Sequence, residues 1–356
     1  MHRISFPIAS LSFTLQSQLL VTQRNGWFTR YLDHGLPEPA ATHLLTRGHQ
    51  QAHHVVQAFH SICVSMNFMV QRPHDSHELF KTRAGQFAHP RMLAFDLLMK
   101  AHVTILGSGT SHGVPMIGCG CAVCRSRDPR DTRTRPSIFV EVEDGPKILV
   151  DTSTDLRQQA LAHGVGRVDA IVFTHSHADH IMGLDDSRRF SQMQKGPIPC
   201  YADAATCESL RRTFFYVFDP ATDKGGGLPQ IQLTAITGPF NIGTIGLQPV
   251  PLLHGSREIL GFRFGNFAYL TDCSRVPDQS WPLIEGLDIL ILDALRHRPH
   301  PTHFSVSQAL DVVARVKPRQ TYFTHICHDL PHAATCARLP RGVELAYDGL
   351  TFDIAL

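Results

Sequence analysis

The sequence predicts an α/β (α+β) domain built from two packed β-sheets with helices outside, and three observations predict it. From Ala101 onward, short β-rich runs alternate with helical stretches. Turn signals rich in glycine, proline and aspartate separate them. Several of the runs open into loops that begin with histidine or aspartate, the usual place for site residues on a rigid scaffold.

The elements follow in order. The run over 102–106 reads as a strand ending in a turn at Gly107, Ser108 and Gly109. Runs over 137–143 and 147–150 flank Glu143, Asp144, Gly145 and Pro146, a hairpin signal. The segment 155–163 reads as a helix closed by Gly164. A buried strand over 170–173 delivers the chain into Thr174 and His175. Later strands are expected over 198–201, 245–249, 261–264, 267–270, 289–292 and 320–323, and helices over 204–214 and 306–316. Ser305 or Thr302 is the expected cap of the last helix.

Residues 1–98 show no such rhythm. Histidines are scattered there, at His49, His53, His54 and His60, without acidic or third-histidine partners at ligand spacing. The stretch is expected to be a poorly patterned N-terminal extension, either disordered or upstream of the true start at Met99. Its first residues look like a signal peptide but lack a small-residue cleavage site, and Pro7, Gln16 and Gln18 interrupt the apolar run. The folded domain is expected to occupy 99–356.

Composition narrows the class. A hydrophobic content of 43% over 356 residues is enough to bury a sizeable core. A formal charge of +2 gives no electrostatic footprint for nucleic acid or membrane, and no apolar run approaches a spanning length. The 9 cysteines are an odd number, which argues against a fully paired disulfide framework. Cys119, Cys121 and Cys124 are too close together for ordinary bridges and suit thiolates holding a metal in a reducing compartment, hence the cytoplasm.

The strongest motif is Thr174, His175, His177, Asp179 and His180 directly after a buried strand. Imidazole nitrogen suits zinc, and carboxylate oxygen extends the choice to manganese or iron. Such a loop can offer one pair of ligands to each of two ions but cannot complete two coordination shells. His254, Asp272 and His325 each follow a strand and are the expected partners.

Taken in order, the metal loop, Asp151 after Lys147 to Val150, and then His254, Asp272 and His325 resemble the metallo-β-lactamase superfamily over residues 101–356. The resemblance implies a four-layer αββα sandwich. It implies that His175, His177 and His254 hold one divalent ion, zinc or manganese, and that Asp179, His180 and His325 hold a second. Asp272 would bridge them, and Asp151 would orient the metal loop. Aspartate at position 272, where the β-lactamases carry Cys or Ser, is similar to phosphodiesterases, tRNA 3′-processing ribonucleases and hydroxyacylglutathione thioesterases.

The turn from Gly107 to Pro115, followed by Cys119, Cys121 and Cys124, resembles the phosphoribosyl cyclic phosphate phosphodiesterases of the carbon–phosphorus lyase pathway. These carry a further histidine three residues beyond the last catalytic one, here His328. Three thiolates and one imidazole make a closed, structural zinc site. Cys327 is a rival ligand, but a buried free thiol is the expectation for it and for Cys63, Cys200, Cys207, Cys273 and Cys336. His303 matches a family histidine near the leaving group, which makes it the expected general acid, with Asp179 as runner-up. Arg130, Arg133 and Arg135 suit phosphate or a solvated basic loop equally, and no role is assigned to them.

The expected activity is hydrolysis of a small, cyclic phosphodiester by a hydroxide held between the two ions. A thioesterase and a tRNA-processing ribonuclease are the rival enzymes, although the short span from His254 to Asp272 leaves no room for a ribonuclease's protruding arm. A non-catalytic metal-binding protein is disfavoured because every ligand position is filled. The expected partner is the small substrate, without membrane or nucleic acid; a homodimer is left open.

Overall fold

The computed structural model describes residues 99–356 apart from 224 and 226. The extension 1–98, with Cys63 and the scattered histidines, lies outside the described residues. The first sheet holds β1 (Lys100–Gly107), β2 (Ser137–Val142), β3 (Lys147–Val150), β4 (Ala170–Val172), β5 (Ile198–Ala202) and β6 (Ile231–Ala235). The second holds β7 (Phe240–Ile242), β8 (Ile245–His254), β9 (Arg257–Phe264), β10 (Phe267–Leu270), β11 (Ile289–Asp293), β12 (Gln320–Thr324) and β13 (Val343–Leu345). The last strand, β14 (Thr351–Ala355), returns to pair with β1, so the orders are β14-β1-β2-β3-β4-β5-β6 and β13-β12-β11-β10-β9-β8-β7.

Strand periodicity sorts the core into layers. Ile138, Val140, Ile148 and Val150 point inward and meet Phe262, Phe267, Tyr269, Ile289 and Ile291 between the sheets. Their neighbours Phe139, Leu149 and Ile171 face the other way, onto a second cluster with Leu156 and Leu210. Leu290 and Leu292 likewise face outward, onto Val306, Ala309 and Val312. Helix, sheet, sheet and helix follow one another, which is the four-layer αββα sandwich.

The helices are α1 (Leu156–Ala162), α2 (Ala178–Ile181), α3 (Arg188–Gln194), α4 (Ala204–Thr213), α5 (Phe215–Phe218), α6 (Val306–Val316) and α7 (His332–Cys336). Ser305 starts α6 with a full capping box, its hydroxyl accepting from Gln308 N–H while the Gln308 side chain reaches back. Asp203 caps α4 by accepting from Thr206 N–H at 2.6 Å. Among the described residues no helix is long and apolar enough to cross a membrane.

Two strands run longer than expected. β8 continues through Pro249 and Pro251 to His254, paired along its length with β9. Proline normally argues against a strand interior. These two alternate, so their missing N–H groups share one edge of β8, and β7 covers that edge only as far as Leu247.

The topology places one end of the sandwich. β3 and β4 run parallel, as do β10, β11 and β12, so the C-terminal ends of each set lie level with one another. The chain leaves those ends at Asp151 and Thr174 in one sheet, and at Thr271, Asp293 and His325 in the other. Ligand sites of parallel sheets gather at such ends.

Candidate metal centre

Asp151, directly after β3, is fully buried and organises the loop after β4. Its carboxylate accepts from Thr174 N–H and Thr174 Oγ1, both at 2.8 Å, and from His180 Nδ1 at 2.7 Å. The Thr174 oxygen is left to accept from His175 Nδ1 at 3.0 Å. Both imidazoles are thereby locked with Nε2 turned away from Asp151. His254, the last residue of β8, is locked in the same way, with Nδ1 donating to Thr302 O at 2.7 Å.

These rings converge with the carboxylates. Donor atoms of His175, His177, His254 and Asp272 lie within 4.8 Å of one another, as do those of Asp179, His180, Asp272 and His325. Asp272 belongs to both groups, with Oδ1 3.2 Å from His180 Nε2 and Oδ2 3.1 Å from His325 Nε2. Asp179, at the start of α2, sits 3.5 Å from His180 Nε2 and 3.6 Å from His325 Nε2. All seven residues expected from the sequence are therefore brought together.

Whether they fit metal ions can be tested on the atoms left over. The buried Nε2 atoms of His175, His180 and His325 and Oδ2 of Asp179 make no hydrogen bond. Each unpaired buried group costs about 1–3 kcal/mol, so four together need a common partner. Charge points the same way. Burial opposes protonation of His180 and His325, but Asp272 and Asp179 outweigh it, raising His180 well above its usual range and His325 to about 10. Asp272 is likewise lowered well below its usual range: burial opposes this, but His325 and His180 prevail. The pocket calls for positive charge, and divalent ions supply it by displacing protons. Donors of this kind suit zinc or manganese.

Three of the six described non-glycine residues with positive φ lie at the same place. Asp151, Asp272 and His325 have φ of 63°, 57° and 58°, the left-handed region that residues other than glycine seldom adopt. Such positions persist only where the surroundings over-determine them, and they cluster at active sites.

The sequence reading missed Asp293, although it ends β11 just as the other residues end their strands. It is fully buried and accepts from His303 Nδ1 at 2.8 Å. His303 stacks on His325 with ring centroids 4.5 Å apart. One carboxylate thus turns the His303 ring, leaving its Nε2 clear of Asp293. Thr174 was read only as part of the motif and Thr302 only as a candidate helix cap; their bonds to Asp151, His175 and His254 carry no sequence signal.

A separate cluster lies on the loop after β1. Cys119, Cys121 and Cys124 present Sγ to His328 Nδ1 at 3.2, 3.7 and 3.4 Å. A tetrahedral zinc with Zn–S near 2.3 Å and Zn–N near 2.0 Å would set those edges at about 3.5 Å. The Cys124 N–H donates to Cys121 Sγ at 3.4 Å and lowers that thiol's pKa. Cys327 stands apart from this group, its sulfur accepting from Asp329 N–H at 3.3 Å. It is half-buried, as is Cys336, whereas Cys200, Cys207 and Cys273 are buried free thiols as expected.

The three arginines after the cysteines do not form a free basic loop. Arg133 is 1% exposed and donates to Cys327 O, Leu330 O and Asp131. Arg135 is engaged by Asp155 at 2.8 Å and Arg130 by Asp128 at 2.8 Å. Beside His303 and His328 opens a cleft of about 260 Å³, lined also by His112, Arg296, Arg298 and His300.

Comparison with known proteins agrees with this picture. The beta-lactamase superfamily domain matches residues 147–326. A solved diphosphatase of the PhnP family is 47% identical with a TM-score of 0.68, covering 72% of this chain and 98% of its own. An octanoyltransferase of Porphyromonas gingivalis is 36% identical over 250 residues, which are 69% of this chain but 50% of that protein. The chain therefore spans about half the length of that relative. A coenzyme PQQ synthesis protein B of Rhodopseudomonas palustris is 28% identical over 230 residues, 54% of this chain and 72% of that protein. With the domain match, the two packed sheets and the histidine–aspartate cluster at their shared end in agreement, the chain belongs to the metallo-β-lactamase superfamily.

Proposed function

We propose that this protein is a metal-dependent phosphohydrolase that cleaves a phosphodiester or diphosphate bond in a small molecule. The observation that carries the reading is His303. Asp293 orients it, it stacks on His325, and it lines a cation-rich cleft beside the histidine–aspartate cluster. The likeness to a PhnP-family diphosphatase supports the diphosphate as well as the diester.

In this reading His175, His177 and His254 hold one ion, and Asp179, His180 and His325 hold the other. Asp272 belongs to both. When bound, two divalent ions acidify water and neutralise charge on phosphoryl oxygens. The remaining roles fall to side chains. Asp151 and Thr174 keep His175 and His180 aimed at the ions. Asp179 is engaged as an ion ligand in this reading, which makes it the poorer proton donor. His303 carries the proton, passing it from Nε2 to the departing oxygen, while the hydrogen bond from Nδ1 to Asp293 fixes the ring for that transfer. Cys119, Cys121, Cys124 and His328 hold a structural zinc that ties the loop after β1 to the loop after β12. The free cysteines among the described residues accord with a reducing compartment such as the cytoplasm.

The test is a screen of the purified, metal-analysed protein against bis(p-nitrophenyl) phosphate, nucleoside diphosphates, cyclic nucleotides and an acyl-glutathione thioester. Turnover is expected on the phosphorus substrates, and Asp272→Ala should lower it by about a hundredfold to a thousandfold. Turnover of the thioester alone would refute the reading.

A further inference from the structure

The loop that carries His175 and His177 is fastened along one side by β9, and His177 depends on that fastening. His175 and His180 are held through Nδ1 by Thr174 and Asp151, and His254 is held by Thr302 O. The His177 ring makes no hydrogen bond to the protein among the described residues, and its side chain forms no cap bond at the start of α2. It meets its neighbours edge to face, with ring centroids 4.6 Å from His175 and 5.0 Å from His254. Its place is therefore set by the backbone that carries it. That backbone is tied to β9 twice. Leu260 N–H donates to Thr174 O at 3.0 Å, and Arg257 Nη2 donates to Ser176 Oγ at 2.8 Å. Ser176 separates His175 from His177, so the second bond falls between two ligands. The turn explains how Arg257 reaches it. Gly255 and Ser256 form a two-residue hairpin loop, with Gly255 at φ 65°, and this makes Arg257 the direct cross-strand partner of His254. Residues directly opposed across a ladder share a face of the sheet. The half-buried arginine thus starts beside one ligand and ends between two others.

We infer that Arg257 is a positioning residue for the ion given to His175, His177 and His254: it fixes Ser176, and through Ser176 the otherwise unheld His177 ring. The inference rests on the two-ion reading of the cluster and deepens it. The other ion, given to Asp179, His180 and His325, does not need this tie. Asp179 and His180 lie on α2, beyond the tied residue, and Asp151 holds His180 directly. Partners that orient a metal ligand matter to affinity nearly as much as the ligand does. Charge works against the tie, because a guanidinium beside a divalent ion repels it. Removing Arg257 alone therefore mixes a lost bond with relieved repulsion. Ser176 carries no charge, so its removal reads the lost bond alone. Combining the two substitutions separates the contributions, since residues that act through one shared contact do not add.

The test reads bound zinc rather than turnover. Wild type, Ser176→Ala, Arg257→Ala and the double variant, all as full chains, are dialysed against buffers of graded free zinc and analysed for metal. Ser176→Ala should need about tenfold more free zinc to half-load one ion, while the second cluster ion and the cysteine-held zinc bind as in wild type. Adding Arg257→Ala to Ser176→Ala should weaken that ion no further. In a His254→Ala background, which has already lost the same ion, Ser176→Ala should change nothing. Should Arg257→Ala not fold, Arg257→Gln takes its place, and Ser176→Ala decides alone if neither folds. Three results would each overturn the role: unchanged zinc binding in Ser176→Ala, equal weakening of both cluster ions, or losses from the two substitutions that multiply. A wild type holding fewer than two ions beyond the cysteine-held zinc would instead overturn the two-ion reading beneath it.

Discussion

Removing His328 separates the cysteine cluster from the reactive centre, and the size of the effect can be worked from the geometry. Cys124 and His328 lie 204 positions apart in the chain, so a zinc held by both closes a very long loop. Treated as a cross-link, a loop of that length removes about 5 kcal/mol of unfolded-state entropy at 25 °C. This is a ceiling, because real cross-links often deliver less. For a domain of this size each kcal/mol moves Tm by about 2–4 °C, so His328→Ala should melt about 5–15 °C lower. Cys121→Ser should behave the same way, and Cys327→Ser, outside the cluster, should not. The assay is thermal unfolding with zinc measured on the same samples. The protein that remains folded should keep measurable turnover, since His328 is not among the seven histidine and aspartate residues that converge, although it lines the cleft beside His303. A His328→Ala protein with full zinc and an unchanged Tm would refute the four-ligand staple and the chain-closure argument together.

Other perturbations read the reactive centre itself. His177→Ala should cost bound catalytic metal while the cysteine-held zinc remains; elemental analysis showing both lost together would contradict two independent sites. Asp151→Asn keeps a residue that tolerates φ near 63° but removes the charge that orients Thr174 and His180. Metal affinity measured by dialysis should fall about 10–100-fold, and an unchanged affinity would deny Asp151 its orienting role. His303→Ala and Asp293→Asn should both slow substrates with basic leaving groups much more than nitrophenyl esters. Equal losses on both substrate types would remove the pair from proton transfer.

How much of this was legible in the sequence follows from where each signal originates. The ten strands expected from sequence are interior ones, whose alternating apolar residues are buried on both faces. The four that escaped notice, β6, β7, β13 and β14, are the outer strands of the two sheets. β6 and β14 are largely exposed or half-buried along their length, and β7 and β13 span three residues each, so neither periodicity nor length marks them. Short helices such as α2 and α7 escaped for a related reason, having too few turns to display an apolar face. The metal residues stood out because histidine and aspartate in a tight loop have few structural uses. Asp293 had no such company: in sequence it is one more acid after an apolar run, and only the fold brings it beneath His303.

The left-handed residues show why sequence and site diverge at this level. Asp151, Asp272 and His325 each end or follow a strand, where a regular chain would carry the side chain along the strand direction or onto one face of the sheet. With φ near 60° the chain instead turns sharply, and the Asp272 and His325 side chains converge at the shared end of the sheets, with Asp151 supporting His180. Glycine would allow that turn without strain, but it has no donor to offer. Each position therefore holds a residue that the local backbone disfavours; Thr174 and His180 hold the Asp151 side chain, and Thr271 holds that of Asp272. Local propensity would read these positions as turns and nothing more. The same conflict, met at three strand ends that the fold brings together, marks the place where structural preference gives way to chemistry.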